Sequence, residues 1–247
     1  MSEPVYRTVV MAARGLTAIR RWKLIINGGE NVPATGPAVL AVNHAGYLDF
    51  VFAAWASTLE QNRLVRYMAK KEVFEHKISG PLMRAMKHIP VDRSGDPARS
   101  LDHAIKALEQ GEIVGTFPEA TINRSFVPQR GKTGAVRMAQ AASAPIVPVA
   151  VWGAHRIMTK GRPRNFQRGV AIQVEIGEQM TVDPTEDPRL ATDRMMDRIR
   201  ALLEKAQRTY PQTPSGPEDM WWMPAHLGGT APTPEEVKPR QGEAGLQ

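Results

Sequence analysis

The sequence predicts an α/β fold: a mixed central sheet with helices on both faces and an amphipathic helix at the N-terminus. Three observations lead there. Short β-type runs alternate with segments of helical periodicity along most of the chain. The 247 residues, 42% hydrophobic and 23% charged, suffice for one large domain or two small ones, globular and with a sizeable core. No cysteine is present, so neither disulfides nor thiolate-bound metal can stand in for that core.

The elements follow in order. From Pro4 to Arg20, Val5, Val9, Ala12, Leu16 and Ile19 recur on one side of a helix, and Arg20, Arg21, Trp22 and Lys23 follow at once. This mixture suits a helix lying on an anionic bilayer, or one packed on its own domain with a solvated basic end. Strands are predicted at Leu24–Ile26, Val39–Val42, Val65–Met68, His88–Val91, Ile113–Phe117, Ile146–Val151 and Ala171–Ile176. Between them Leu48–Thr58, Gly80–Lys87, Pro97–Gln110 and Thr133–Ser143 read as helices, with Pro97 as an early helical residue and Gly111 as a stop. A last helix, Pro188–Arg208, sets Leu190, Met195, Met196, Ile199, Leu202, Leu203 and Ala206 at core spacing. Two stretches of 18 residues, Asn31–Leu48 and Met138–His155, lack charge. Prolines interrupt both, so each reads as a strand flanked by turns or a helix end, and no transmembrane helix is predicted. Nor does the N-terminus, cut by Arg7 and Arg14, read as a secretion signal.

The chain divides into residues 1–22, the amphipathic helix; residues 23–210, the main domain; and residues 211–247, a Pro/Gly-rich acidic tail, partly disordered. The net charge is +7, but the tail carries −3, leaving +10 on residues 1–210. That favours an anionic partner: nucleic acid, a lipid surface or a phosphorylated small molecule. Trp221 and Trp222, beside Met220 and Met223, are expected to dock on the domain or at a membrane interface.

Several chemistries are excluded. Gly131-Lys132-Thr133 resembles the end of a phosphate-binding P-loop, but Phe126 stands where that motif requires glycine. There is no G-x-G-x-x-G, no G-x-S-x-G nucleophile elbow and no H-E-x-x-H, so no cofactor and no metal site is predicted. Nucleic-acid signatures are absent as well.

What remains is a constellation. An apolar strand ends at Asn43-His44, a short Ala-Gly-Tyr turn follows, and Asp49 opens a helix. A carboxylate accepting from Nδ1–H would fix the imidazole tautomer, leave Nε2 as the free base and stabilise the imidazolium. No protein nucleophile is placed beside His44, which points to activation of a hydroxyl on the substrate. The bland alternative is a chance His-Asp pair. Arg93, just after Ile89-Pro90-Val91, can clasp an anion with a bidentate fork or be a surface arginine. In Gly115-Thr116-Phe117-Pro118-Glu119-Ala120-Thr121, Glu119 can orient a polar substrate or partner Arg93, and Thr121 can donate to a phosphate oxygen. A turn-initiating proline with a solvated Glu is the alternative there.

The ordered set Asn43-His44-x4-Asp49, Val91-Asp92-Arg93, Phe117-Pro118-Glu119-Ala120-Thr121 and Ala144-Pro145-Ile146-Val147-Pro148-Val149 resembles the glycerophospholipid acyltransferase family, which includes the 1-acylglycerol-3-phosphate acyltransferases. The resemblance covers roughly residues 35–155 and makes residues 23–210 the acyltransferase domain. It implies transfer of a fatty acyl group from acyl-CoA or acyl-carrier protein to the hydroxyl of a lysophospholipid-type acceptor, with His44 as general base, Asp49 as its orienter and no acyl-enzyme. By the same resemblance Arg93 binds the acceptor phosphate, Glu119 and Thr121 shape the acceptor site, and Lys70 and Lys132 stand at family positions. The third block departs from the family's Phe-Pro-Glu-Gly-Thr-Arg-Ser: Ala120 replaces glycine and Ile122 replaces arginine, with Arg124 able to restore the charge if the loop bulges. A glycolipid or other non-phosphate alcohol therefore stays open as acceptor, as does a non-catalytic lipid-binding protein on the same fold. The expected location is peripheral, on the cytoplasmic face of the cell membrane at an anionic surface, and not on nucleic acid.

Overall fold

The computed structural model describes residues 3–92, 95 and 97–237. The chain runs α1 (Pro4–Arg20), β1 (Lys23–Asn27), β2 (Ala38–Val42), α2 (Asp49–Gln61), β3 (Val65–Lys70), α3 (Lys71–Glu75), α4 (Ser79–Ala85), β4 (Ile89–Val91), α5 (Pro97–Glu109), β5 (Ile113–Thr116), α6 (Gly134–Ala141), β6 (Ile146–Trp152), β7 (Ala171–Ile176), α7 (Pro188–Arg208) and α8 (Pro234–Val237). The strands form one sheet in the order β1-β7-β6-β2-β5-β3-β4. From β6 through β4 all neighbours are parallel, whereas β7 runs antiparallel to β6 and β1 parallel to β7.

The centre of the sheet is covered on both faces, which is why its strands read as unbroken apolar runs. All of β2 is buried. Ala38, Leu40 and Val42 point into one layer with Phe52, Ala53 and Ala56 of α2, while Val39 and Ala41 point into the other with Ala104 and Leu108 of α5, Val136 of α6 and Met195 and Ile199 of α7. Helix α7 starts on an Asp187 cap that accepts from Arg189 N at 2.7 Å. It buries Met195, Met196, Ile199, Leu203 and Ala206, but Leu190, expected in the stripe, is exposed.

Helix α1 departs further from expectation. Tyr6 and Thr17 face inward, and the Tyr6 hydroxyl donates to Val65 O at 3.0 Å. Glu3 pairs with buried Arg66 at 2.6 Å, tying the helix start to β3. Most of the stripe read from the sequence points outward instead: Val5, Leu16 and Ile19 are exposed, Ile19 at 69%, while Val9 packs beside Tyr6 against the domain. No helix among the described residues is long and apolar enough to cross a membrane. In the tail, a 3-10 helix at Pro217–Trp222 seats Trp222 against Trp152 and Tyr210. The disorder expected at the chain end concerns residues 238–247, which lie outside the described residues.

The topology decides where chemistry can occur. From β2 the chain moves to β3 on one side, and from β5 it crosses back to β6 on the other. A crevice therefore opens at the carboxyl end of β2, the usual ligand position in an open α/β sheet.

Candidate active site

His44 lies just beyond the carboxyl end of β2, and Asp49 is the first residue of α2. The turn between them brings His44 Nδ1 to 3.2 Å from Asp49 Oδ2. The same carboxylate oxygen accepts from the backbone N–H of Ala45 at 2.8 Å and of Gly46 at 2.7 Å. Asp49 is fully buried, whereas the His44 side chain keeps 18% exposure. Burial pushes the Asp49 carboxyl above its ordinary range, opposed by His44 and by the two backbone donors. Its place at the positive end of α2 favours the ionised form too. An ionised carboxylate only accepts, so against it the imidazole presents Nδ1–H, with Nε2 on the opposite side of the ring.

The backbone of His44 is held as firmly as its ring. Its N–H donates to Glu119 Oε1 at 3.0 Å, and its carbonyl accepts from Asn123 N at 2.8 Å. Glu119 Oε2 accepts from Asn123 Nδ2 at 2.9 Å and Gln129 N at 3.1 Å. Both oxygens of Glu119 are thus engaged within the chain, and burial raises its pKa against those donors. Phe117 stacks on the imidazole with ring centroids 4.0 Å apart.

On the other side, Asn43 grips β6: its side chain donates to Val151 O at 3.2 Å and accepts from Val151 N at 2.7 Å. The loop after β6 supports the turn. Tyr47 N donates to Met158 O at 2.9 Å and Thr159 Oγ1 donates to Ala45 O at 2.7 Å. A β-carbon on Gly46 would stand 2.8 Å from the Cα of His155, so this approach needs glycine.

An oriented imidazole at a strand end, with no hydroxyl or thiol side chain hydrogen-bonded to it among the described residues, suits acyl transfer to a bound hydroxyl. Comparison with known proteins agrees: residues 23–152, just over half of the chain, match the family described as Acyltransferase. The chain belongs to the acyltransferase family. It is 36% identical over 149 residues to the 1-acyl-sn-glycerol-3-phosphate acyltransferase of Bacillus subtilis, a match covering 60% of this chain and 72% of that protein. It is 29% identical over 144 residues to the chloroplastic enzyme LPAT1 of Arabidopsis thaliana, covering 57% of this chain but 39% of the relative. The crystal structure of the 1-acyl-sn-glycerophosphate acyltransferase of Thermotoga maritima superposes with a TM-score of 0.64 at 21% identity, over 81% of this chain and 78% of the other. The architecture is therefore the acyltransferase fold.

Lys70, Thr121, Arg124 and Lys132, also predicted for this acyltransferase, fall at the same edge of the sheet. Lys70 closes β3 and is exposed. Thr121 and Arg124, on the loop after β5, are exposed as well. Lys132 precedes α6; its side chain is exposed and its N–H donates to Pro118 O at 2.9 Å. Arg93 lies outside the described residues. In the third block Ala120, at the family's glycine position, adopts φ 59°, the left-handed region that glycine enters freely. Ile122, at the family's arginine position, is buried. Among the described residues no group of three or more His, Asp or Glu side chains is arranged to hold a metal ion. Sequence reasoning gave no role to Asn43, Phe117, Asn123 or Thr159. The first three lie within or beside the motifs, so adjacency was the available signal; Thr159 meets the turn only through tertiary structure.

Proposed function

We propose that the protein transfers a fatty acyl group from a phosphopantetheine thioester, acyl-CoA or acyl-carrier protein, to the hydroxyl of a 1-acylglycerol-3-phosphate-type acceptor. The observation that carries this reading is the His44–Asp49 contact, in which a buried carboxylate fixed by two backbone N–H groups orients an accessible imidazole. Nε2 of His44 removes the proton as the acceptor oxygen attacks the thioester carbonyl. The tetrahedral intermediate then collapses, the C–S bond breaks, and the imidazolium returns the proton to the departing thiolate. Lys70, Arg93, Thr121 and Lys132 are assigned to the acceptor side, and Glu119 holds the backbone of the base. Transfer measured with acyl-CoA and lysophosphatidic acid tests this: His44→Ala is expected to lower kcat by roughly two to four orders of magnitude, with Asp49→Asn also impaired. Unchanged turnover in His44→Ala overturns the mechanism.

Buried Ile122 at the family's arginine position favours a second reading, the same chemistry on a non-phosphate alcohol. Arg93→Ala separates the two, because a phosphate acceptor loses binding and a neutral one does not. In either reading the enzyme works peripherally on an anionic membrane surface at the cytoplasmic face, through the outward stripe of α1 and the basic residues at its end.

A further inference from the structure

The sheet order divides the cations of the site into two groups. Lys70 ends β3, and β3 and β4 lie to one side of β2. On the opposite side β6 leads into residues 153–168, which contain no Asp or Glu but carry Lys160, Arg162, Arg164 and Arg168 at the surface. These residues lie beyond the family match that ends at 152, and no role has been given to them.

This loop is part of the site. Thr159 donates to the carbonyl of Ala45, the residue after His44, so Lys160 follows directly on a contact with the dyad turn. Asn165 N donates to Ile157 O at 2.8 Å, closing the loop on itself, and Phe166 stacks on Trp22. Arg124 joins from the block after β5, its Cδ and Nη1 being 3.8 Å from where a β-carbon on Gly161 would stand. The Arg162 guanidinium lies over the Trp221 ring, 5.0 Å from its centroid, which orients it. None of Arg124, Lys160, Arg162, Arg164 or Arg168 forms an ion pair with a carboxylate among the described residues. Like charges gathered on one short loop repel each other unless an anion supplies the opposite sign.

The proposed reaction, on which this inference rests, brings two anionic reactants to His44. Cations on the β3–β4 side serve the acceptor phosphate. The donor has a phosphate as well, separated from its thioester by the long pantetheine arm. With the thioester at Nε2 of His44, that phosphate belongs at the rim of the site. We propose that Arg124, Lys160 and Arg162 form the docking site for the phosphate of the phosphopantetheine thioester donor.

Titration calorimetry of the full chain with CoA, and with pantetheine lacking phosphate, tests the site directly. In the double variant Lys160→Ala/Arg162→Ala, CoA affinity falls roughly ten- to hundred-fold, the worth of one or two charge-assisted hydrogen bonds. Pantetheine affinity stays the same, and donor KM rises by the factor lost in CoA affinity while acceptor KM holds. Both side chains are exposed, and equal melting temperatures check that folding is intact. A rise in KM for acyl-CoA and acyl-carrier protein alike assigns the shared phosphate; a rise for acyl-CoA alone moves the contact to the nucleotide phosphates and overturns the proposal. Undiminished CoA affinity in the variant, or no CoA binding to the wild type, overturns the proposal. So does a loss confined to acyl-carrier protein or to phosphatidylglycerol vesicles, which makes the loop a protein or membrane contact. Calorimetry needs no turnover. If the wild type binds CoA through Lys160 and Arg162 but transfers no acyl group, the reaction assignment falls and the phosphate site stands.

Discussion

The Glu119 carboxylate accepts a hydrogen bond from the backbone N–H of His44 at 3.0 Å, across 75 positions of sequence. Its other oxygen accepts from Asn123 and Gln129, so this acid ties the His44 backbone to the loop after β5. In Glu119→Gln one of its oxygens becomes an NH2 group facing an N–H donor. A loss of about 1–3 kcal/mol is expected from urea unfolding. A shift of His44 lowers kcat roughly ten- to hundred-fold. The pH dependence supplies a second signature. Burial raises the native pKa of Glu119 above its ordinary value of 4.5, so the native state holds this proton more tightly than the unfolded chain. Wild-type stability relative to Glu119→Gln is therefore greatest below pH 4.5 and falls as pH rises through the raised pKa.

Gly115 sits opposite Tyr67 in the β3–β5 register, and the Tyr67 ring fills the space beside it. A β-carbon there would stand 2.5 Å from a ring carbon. Tyr67 stacks on Phe117, and Phe117 on His44, so pressure at 115 is passed toward the base. Gly115→Ala should destabilise by about 1–3 kcal/mol. Thermal melting reads the loss, and kcat should fall further than acceptor KM rises.

Ala120 at φ 59° pays for a β-carbon in the left-handed region. Ala120→Gly relieves that strain and should stabilise the protein by about 1 kcal/mol, less the entropy glycine gains in the unfolded chain. Denaturant unfolding showing a loss of stability would contradict this account of the turn.

Two buried histidines set the acid limit. Desolvation, with Arg66 nearby, pulls His88 down to about 4, and its Nδ1 accepts from Tyr67 N at 3.0 Å. Desolvation likewise pulls His155 down to about 3. Both are depressed, so their contribution is complete above pH 6.5 and is lost as pH falls toward the folded values. For His88 this is on the order of 3 kcal/mol. Urea midpoints measured from pH 7 down to about pH 4 should fall steeply in the wild type and less steeply in His88→Asn, which retains an acceptor.

The outward stripe of α1 predicts a membrane contact. Leu16→Glu/Ile19→Glu leaves the inward contacts of Tyr6 and Thr17 untouched. Flotation with anionic vesicles should show weaker binding by the variant, while transfer from a short-chain soluble donor persists. Equal flotation would remove α1 from the interface.

Much of this protein is written locally in its chain. The alternation of β-branched runs with helical spacing located every strand, most plainly β2 and β6, which are buried along their whole length and apolar throughout. His44 and Asp49 were legible as a pair, being five residues apart around one tight turn. Other features depended on what the fold brings together. The periodicity of α1 named Val5, Leu16 and Ile19 as a face, but the contacts available to Tyr6 and Thr17 decided which face turned inward. Sequence leaves Glu119 open between orienting a substrate, partnering Arg93 and facing solvent, since one carboxylate serves any of these; the fold sets it on the His44 backbone. Thr159 and the basic loop beyond it meet the dyad turn through the parallel pairing of β2 with β6, more than a hundred residues apart in sequence. Residue type and spacing are short-range properties and sufficed for the elements and the dyad; the support of the dyad, and the side of it on which each charge lies, arise from strand order, which only tertiary packing determines.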